Sequence, residues 1–182
     1  MKMNSESGAV VLNDENPLKN EAALEAYANI TELEAFNLPS PHITPQHMLT
    51  LRDIITEHAK RQQLDGVVIT HGTDTLEETA YFLDMTTQFH FPIVLTGAMR
   101  SSNELGADGV YNLVEAVRVA TDEQARNKGV LVVMNDEVHL AFNITKTSTS
   151  SVNTFQSPQY GPIGLVTKKQ VHIHHAPIRR QY

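Results

Sequence analysis

Four short stretches of the 182-residue sequence carry side chains that could do chemistry together. They are Thr70-His71-Gly72-Thr73-Asp74-Thr75, Thr96-Gly97-Ala98-Met99-Arg100-Ser101-Ser102, Asn135-Asp136-Glu137 and Thr145-Lys146-Thr147. Hydroxyls, carboxylates and one lysine make a hydrolytic inventory without a metal: hydroxyls that could attack and groups that could handle a proton. Taken singly, each residue has a plainer reading. Thr73 and Asp74 are also common turn residues, Lys146 alone is a solvated lysine, and short motifs recur by chance.

What would gather these residues is the order of elements between them. Residues 44–63 read as a helix, with Thr44 as N-cap, Pro45 at the first helical position and an apolar stripe of Met48, Leu51, Ile55 and Ala59. Residues 66–70 form an apolar run suited to a strand buried on both faces. Thr75-Leu76-Glu77-Glu78 has the spacing of a capping box and opens a helix to about residue 88. Residues 91–96 and 129–134 read as the next two strands. Residues 108–126 form the helix between them, with Leu113, Val117 and Ala120 on one side. This alternation predicts an α/β fold: a three-layer, doubly wound, mostly parallel sheet with helices on both faces. Such sheets bind ligands at the carboxyl ends of their strands, which is where the first three stretches fall.

The remaining segments read less regularly. Residues 21–30 suggest a short helix, and residues 5–17 a polar, mobile loop. Residues 138–142 alternate in polarity as half of a hairpin would. Residues 145–157, rich in Thr, Ser and Asn, read as loop, and residues 163–166 and 170–174 as two more short strands. His172 and His174 share one strand face beside His175, but no third ligand type lies near, so a polar face is favoured over a zinc site.

Composition narrows the partners. Hydrophobic content of 41% and charged content of 19% belong to a folded chain. A formal charge of -7 with scattered lysines and arginines argues against a nucleic-acid partner. The absence of cysteine removes disulfides and thiolate chemistry and suits the cytoplasm, where the chain is expected. No apolar run approaches the ~18 residues of a membrane span, and residues 1–8 lack the apolar core of a secretory signal.

His71-Gly72-Thr73-Asp74-Thr75 resembles the second active-site signature of the bacterial L-asparaginase family. Thr96-Gly97-Ala98-Met99-Arg100, Ala107-Asp108-Gly109, Asn135-Asp136-Glu137-Val138-His139 and Thr145-Lys146-Thr147 match further segments in family order, across about residues 40–166. The resemblance implies an amidohydrolase that releases ammonia from asparagine, with glutamine a second candidate. It implies no cofactor, and a cytoplasmic homo-oligomer, dimer or tetramer. Thr73, Asp74 and Lys146 would be the catalytic residues, the Thr73 N–H contributing to an oxyanion hole. Ser40 would bind the substrate α-carboxylate, Asp74 its α-ammonium, and the Ala98 carbonyl its amide nitrogen. Lys146 would act either as a neutral base or as a cation. Keeping an ordinary lysine neutral at pH 7 costs about 4.6 kcal/mol, and an adjacent carboxylate favours the charged form.

The sequence also departs from the family. The family's first strand ends in Thr-Gly-Gly-Thr, which supplies the primary nucleophilic threonine, and no such segment occurs here. The expected organisation is a truncated N-terminal domain: a lid-like loop over residues 1–17, an α/β core over 18–167, and a hairpin or linker over 168–182. The lid tyrosine is not assigned, because Tyr27 lies too far along the chain. The 182 residues alone are expected to be inactive. Two other readings stand beside this one: an asparaginase-like subunit of a tRNA-dependent amidotransferase, which the acidic charge disfavours, and a non-catalytic remnant of the fold.

Overall fold

In the computed structural model, the residues described are 2–3, 10–11 and 22–176. The helix expected first is α2, Pro45–Arg61, and it begins as the sequence dictates. Thr44 is its N-cap, Pro45 tolerates the first position, and His47 accepts the Thr44 N–H at 3.1 Å. Before it lie β1 (Lys2–Met3) and β2 (Val10–Val11), an antiparallel pair, and α1, the single turn Ala22–Glu25. After it come β3 (Val67–Thr70), α3 (Leu76–Thr86), β4 (Ile93–Thr96), α4 (Gly109–Thr121), β5 (Val130–Met134) and β6 (Glu137–Leu140). The short pair β7 (Thr145–Lys146) and β8 (Phe155–Gln156) is followed by β9 (Gly164–Val166) and β10 (Val171–Ile173).

Six strands form one sheet in the order β10-β9-β6-β5-β4-β3. β3, β4 and β5 pair in parallel, and the other three pairings are antiparallel. Following those directions, β3, β4, β5 and β9 all point the same way. The α/β reading therefore holds, and the sheet is mixed at its β10 side.

Alternation along β4 and β5 sends side chains to opposite faces. Ile93, Leu95, Val130, Val132 and Met134 pack with Ile55 of α2 and with Leu76, Ala80 and Leu83 of α3. Val94, Leu131 and Val133 pack with Ala116, Val119 and Ala120 of α4. Each large apolar side chain so enclosed contributes about 1.5–3 kcal/mol relative to exposure.

Several expectations change. β3 was expected to be buried on both faces, yet its residues are only half-buried or exposed. It is the sheet's last strand, and among the described residues β4 alone pairs with it. The helix expected over 108–126 stops at Thr121, because the Asp122 carboxylate accepts the Gln124 N–H at 2.9 Å and caps a separate 3₁₀ turn. The helix expected over 21–30 is the one turn α1. The stretch expected as loop over 145–157 contains the β7–β8 pair, with Lys146 opposite Phe155. Asn135 and Asp136, at φ 53° and 66°, form the two-residue turn joining β5 to antiparallel β6, as the hairpin reading of 138–142 requires. The loop expected over 5–17 lies outside the described residues except for Val10–Val11, which is β2.

Candidate active site

The Thr73 loop is shaped by what lies behind it. A Cβ added to Gly72 would sit 2.6 Å from Ser40 Oγ and 2.7 Å from Ser40 Cβ, so only glycine lets the chain pass there. Ser40 is 1% exposed. Its hydroxyl accepts the Asp74 N–H at 3.2 Å, and its carbonyl accepts the Thr75 hydroxyl at 2.8 Å. The expected capping box at Thr75 is therefore not formed: the hydroxyl that would cap α3 ties the loop to Ser40 instead. His71 supports the loop from the other side. Its Nδ1 donates to the Gly72 carbonyl at 2.7 Å, and its Nε2 then accepts the Thr79 hydroxyl at 3.0 Å. Burial pushes the imidazole below its ordinary range, which suits this neutral ring.

β7 brings in the lysine. Lys146 Nζ donates to Thr73 Oγ1 at 3.0 Å and to Asp74 Oδ1 at 2.8 Å. The lysine side chain is 16% exposed and that of Asp74 is 58% exposed, so the pair has a covered end and an open end. Among the described residues no hydrogen bond reaches Asp74 Oδ2. Glu77, in the first turn of α3, accepts the Thr145 hydroxyl at 3.0 Å and also the Lys146 backbone N–H.

The Ala98 loop is fixed from α4. Asn112 Nδ2 donates to the Gly97 carbonyl at 3.0 Å, while the Asp108 carboxylate accepts the N–H groups of Met99 (3.0 Å) and Arg100 (2.9 Å). Asn112 Oδ1 also accepts the Asn135 N–H at 3.1 Å, so one buried side chain ties together the loops after β4 and β5. Gly97 has the same need as Gly72, since an added Cβ would lie 2.6 Å from the His71 carbonyl oxygen.

Ser40, Thr73, Asp74, Ala98 and Lys146 all line one open cleft. Hydrogen bonds join Ser40, Thr73, Asp74 and Lys146 directly, and Ala98 lines the same cleft. The structure does not bring Asn135-Asp136-Glu137 there. Asp136 accepts the Tyr111 hydroxyl at 2.7 Å and donates its N–H to Glu115, while Glu137 meets His139. His172 accepts from Gln170 Nε2 at 2.7 Å, and the His174 and His175 rings meet edge to face.

Sequence reasoning gave no role to His71, Glu77, Asp108 or Asn112. His71 lay inside a motif read for its neighbours, and Glu77 inside a presumed capping box. Asp108 and Asn112 did leave a signal: two polar residues four apart at the start of a helix, with Asn112 beside the stripe residue Leu113.

With this geometry in place, comparison with known proteins gives a consistent family. The family model for the N-terminal asparaginase domain matches residues 1–179. L-asparaginase 2 of Escherichia coli is 42% identical over 166 residues, covering 91% of this chain and 47% of that protein. A probable periplasmic L-asparaginase of Haemophilus influenzae is 46% identical over 150 residues, 82% of this chain and 42% of its own length. A glutaminase-asparaginase of Pseudomonas aeruginosa is 41% identical over 157 residues, 86% of this chain and 43% of its own length. The chain belongs to the asparaginase family. It spans less than half the length of these relatives. No helix among the described residues is long and apolar enough to cross a membrane.

Proposed function

We propose that these residues supply the Thr73–Lys146–Asp74 part of an asparaginase-type amidohydrolase site. The single observation that carries this reading is the pair of bonds from Lys146 Nζ, at 3.0 Å to Thr73 Oγ1 and 2.8 Å to Asp74 Oδ1, in the lining of a cleft. The substrate class is a free amino acid with a side-chain amide, asparagine first and glutamine second, as the names of the relatives suggest.

In this proposal a threonine hydroxyl adds to the side-chain amide carbon. Ammonia leaves with the proton given up by the hydroxyl, and water then cleaves the resulting ester to aspartate and free threonine. Lys146 donates to both Thr73 and Asp74. It would orient the threonine and stabilise charge growing on the carbonyl oxygen. Asp74 Oδ2 would take the α-ammonium, and the Ala98 carbonyl the amide N–H. Ser40 accepts the Asp74 N–H, so its own proton remains for a carboxylate, although the residue is almost closed to solvent.

The sequence holds no Thr-Gly-Gly-Thr segment, and the chain covers under half of its relatives. Activity is therefore proposed for a form that carries such a strand and the remaining domain, as a homodimer or homotetramer, and not for the 182 residues alone. The residence proposed is the cytoplasm, on the cysteine-free composition; fractionation with periplasmic markers would move it. The main test is ammonia release from asparagine, measured on the 182-residue chain beside a protein with the strand and second domain joined on. Turnover only by the longer form is expected. Equal turnover by both would make Thr73 the nucleophile, and none by either would sink the hydrolase reading.

A further inference from the structure

Glu77 stands in the first turn of α3, three residues beyond Asp74, yet its bonds go to a different element. One carboxylate oxygen accepts the Thr145 hydroxyl at 3.0 Å, and the other accepts the Lys146 backbone N–H. Lys146 Nζ then returns to Thr73 and Asp74. Both ends of the lysine, its backbone and its ammonium, are thus tied to the same stretch of chain, residues 73–77. β7 needs such a tie. It is two residues long and pairs with the equally short β8, and an isolated two-stranded ribbon is marginal in water.

We propose that Glu77 is the positioning residue for Lys146: a carboxylate bracket that holds β7 against α3 so that the ammonium meets Thr73 and Asp74. The donor and acceptor pattern selects a carboxylate for this work. Two donors converge, a hydroxyl and an N–H, and an ionised carboxylate is the side chain that offers two oxygens and no proton. Glutamine fits with one compromise, since the Thr145 hydroxyl can turn to accept from the amide while Oε1 keeps the Lys146 N–H. Alanine offers nothing. Because a displacement of about 1 Å at a reacting group can cost about 10² in rate, a loose β7 should show in turnover more than in binding.

Only the kinetic arm of the test rests on the hydrolase reading; the other reads the bracket directly. Hydrogen exchange of the Lys146 amide is measured in this chain for the parent, Glu77→Ala and Glu77→Gln, and kcat and KM are measured in the longer active form. Glu77→Ala is expected to speed exchange at Lys146 at least about tenfold. It is expected to lower kcat by about 10–10², with KM within about threefold, and Glu77→Gln to keep both readouts near the parent. If Glu77→Ala does not fold, Thr145→Val carries the test, with faster exchange and a several-fold lower kcat expected. An amide that exchanges as slowly as in the parent, or a kcat unchanged within about twofold, overturns the proposal in either variant. A parent that releases no ammonia fails the hydrolase reading alone, and the exchange result still decides the bracket.

Discussion

The molecule twice sets a hydroxyl, a nitrogen group and a carboxylate in a row. In one row Lys146 reaches Thr73 at 3.0 Å and Asp74 at 2.8 Å. In the other, the ring of His139 meets the Ser157 hydroxyl at 2.9 Å through Nδ1 and the Glu137 carboxylate at 3.2 Å through Nε2. As residue types the second set is the better-known hydrolytic machinery. Position reverses the ranking. His139 is 0% exposed on β6, in register with Val132, and Ser157 is 4% exposed just beyond β8. Burial pushes His139 below the ordinary imidazole range, while Glu137 pulls the other way. Its two bonds use both ring nitrogens, and neither His139 nor Ser157 is among the residues that line the cleft. The first row lies on the loop leaving β3 and on β7 itself, lines a cleft and keeps one Asp74 oxygen without a hydrogen bond among the described residues. A reactive set needs an approach and an unmade bond; a closed set only holds the fold.

The widest separation between the rows should appear in turnover. In the longer active form, Lys146→Met and Thr73→Val are each expected to lower asparagine turnover by at least about 10², the lower range for a proton-handling group. The two together should cost little more than either alone, because they act as one unit. Lys146→Arg should recover part of the loss if a cation is what matters. A Lys146→Met protein within a few-fold of the parent would remove the lysine from the mechanism. His139→Leu should do the reverse. It strands the buried Ser157 hydroxyl and the Glu137 carboxylate, a cost of about 1–3 kcal/mol for each group that finds no water. That corresponds to roughly 2–4 °C in Tm per kcal/mol for a domain of this size, with activity per folded molecule unchanged.

Which row was reactive was legible in the sequence only through motif order, since Lys146 stands 73 residues from Thr73 and 72 from Asp74. The fold was legible where local signals were strong. β5 is an unbroken apolar run and β4 an apolar run ending in Thr96, both buried at every position, and α2 has Thr44 as N-cap, Pro45 at its start and an apolar stripe. Legibility failed where a side chain's partner is distant. Nothing within residues 75–78 says that the Thr75 hydroxyl will prefer the Ser40 carbonyl to its own helix, or that Glu77 will reach residues 145 and 146. β7 and β8 are two residues each, too short for any periodicity. β3 has the apolar run of a buried strand, but burial depends on its neighbours, and its own residues cannot specify them.

Acid should weaken the closed row through His139 and the loop behind the open row through His71. The folded-state values of His139 and His71 lie below the ordinary 6.5, so the unfolded chain binds more protons once pH falls beneath about 6.5. Stability from these rings is full above that pH and declines on acidification, by up to about 1.4 kcal/mol per pH unit for each, until the folded values are reached. Glu115 acts in the opposite sense. Burial and the neighbouring Asp136 raise its carboxyl from 4.5 to about 7, so its contribution is present at low pH and lost as pH rises through 4.5–7. Urea midpoints across pH 5–8 should therefore respond to substitution with opposite slopes. Relative to the parent, Glu115→Gln should gain at pH 8 over pH 5, and His139→Leu should flatten the acid limb. Parallel profiles for parent and variants would show that neither group is linked to folding.

The smallest effect expected is that of Ser157→Ala, and it cuts most directly between the two rows. With Nε2 beside the Glu137 carboxylate, the ring proton belongs on Nε2, and Nδ1 accepts from the Ser157 hydroxyl. Alanine removes that donor and leaves one neutral acceptor unmade, while the ring, its packing and its bond to Glu137 stay. A neutral hydrogen bond contributes about 0.5–1.5 kcal/mol net, so the loss should fall near 1 kcal/mol and below that of His139→Leu. Turnover in the longer form should remain within about twofold, because no reacting atom has moved. The measurement is a urea midpoint together with kcat/KM for asparagine, taken beside Thr73→Val. If Ser157→Ala abolished turnover while Thr73→Val spared it, the buried row would be the working one, and the cleft between Thr73 and Lys146 would need another purpose.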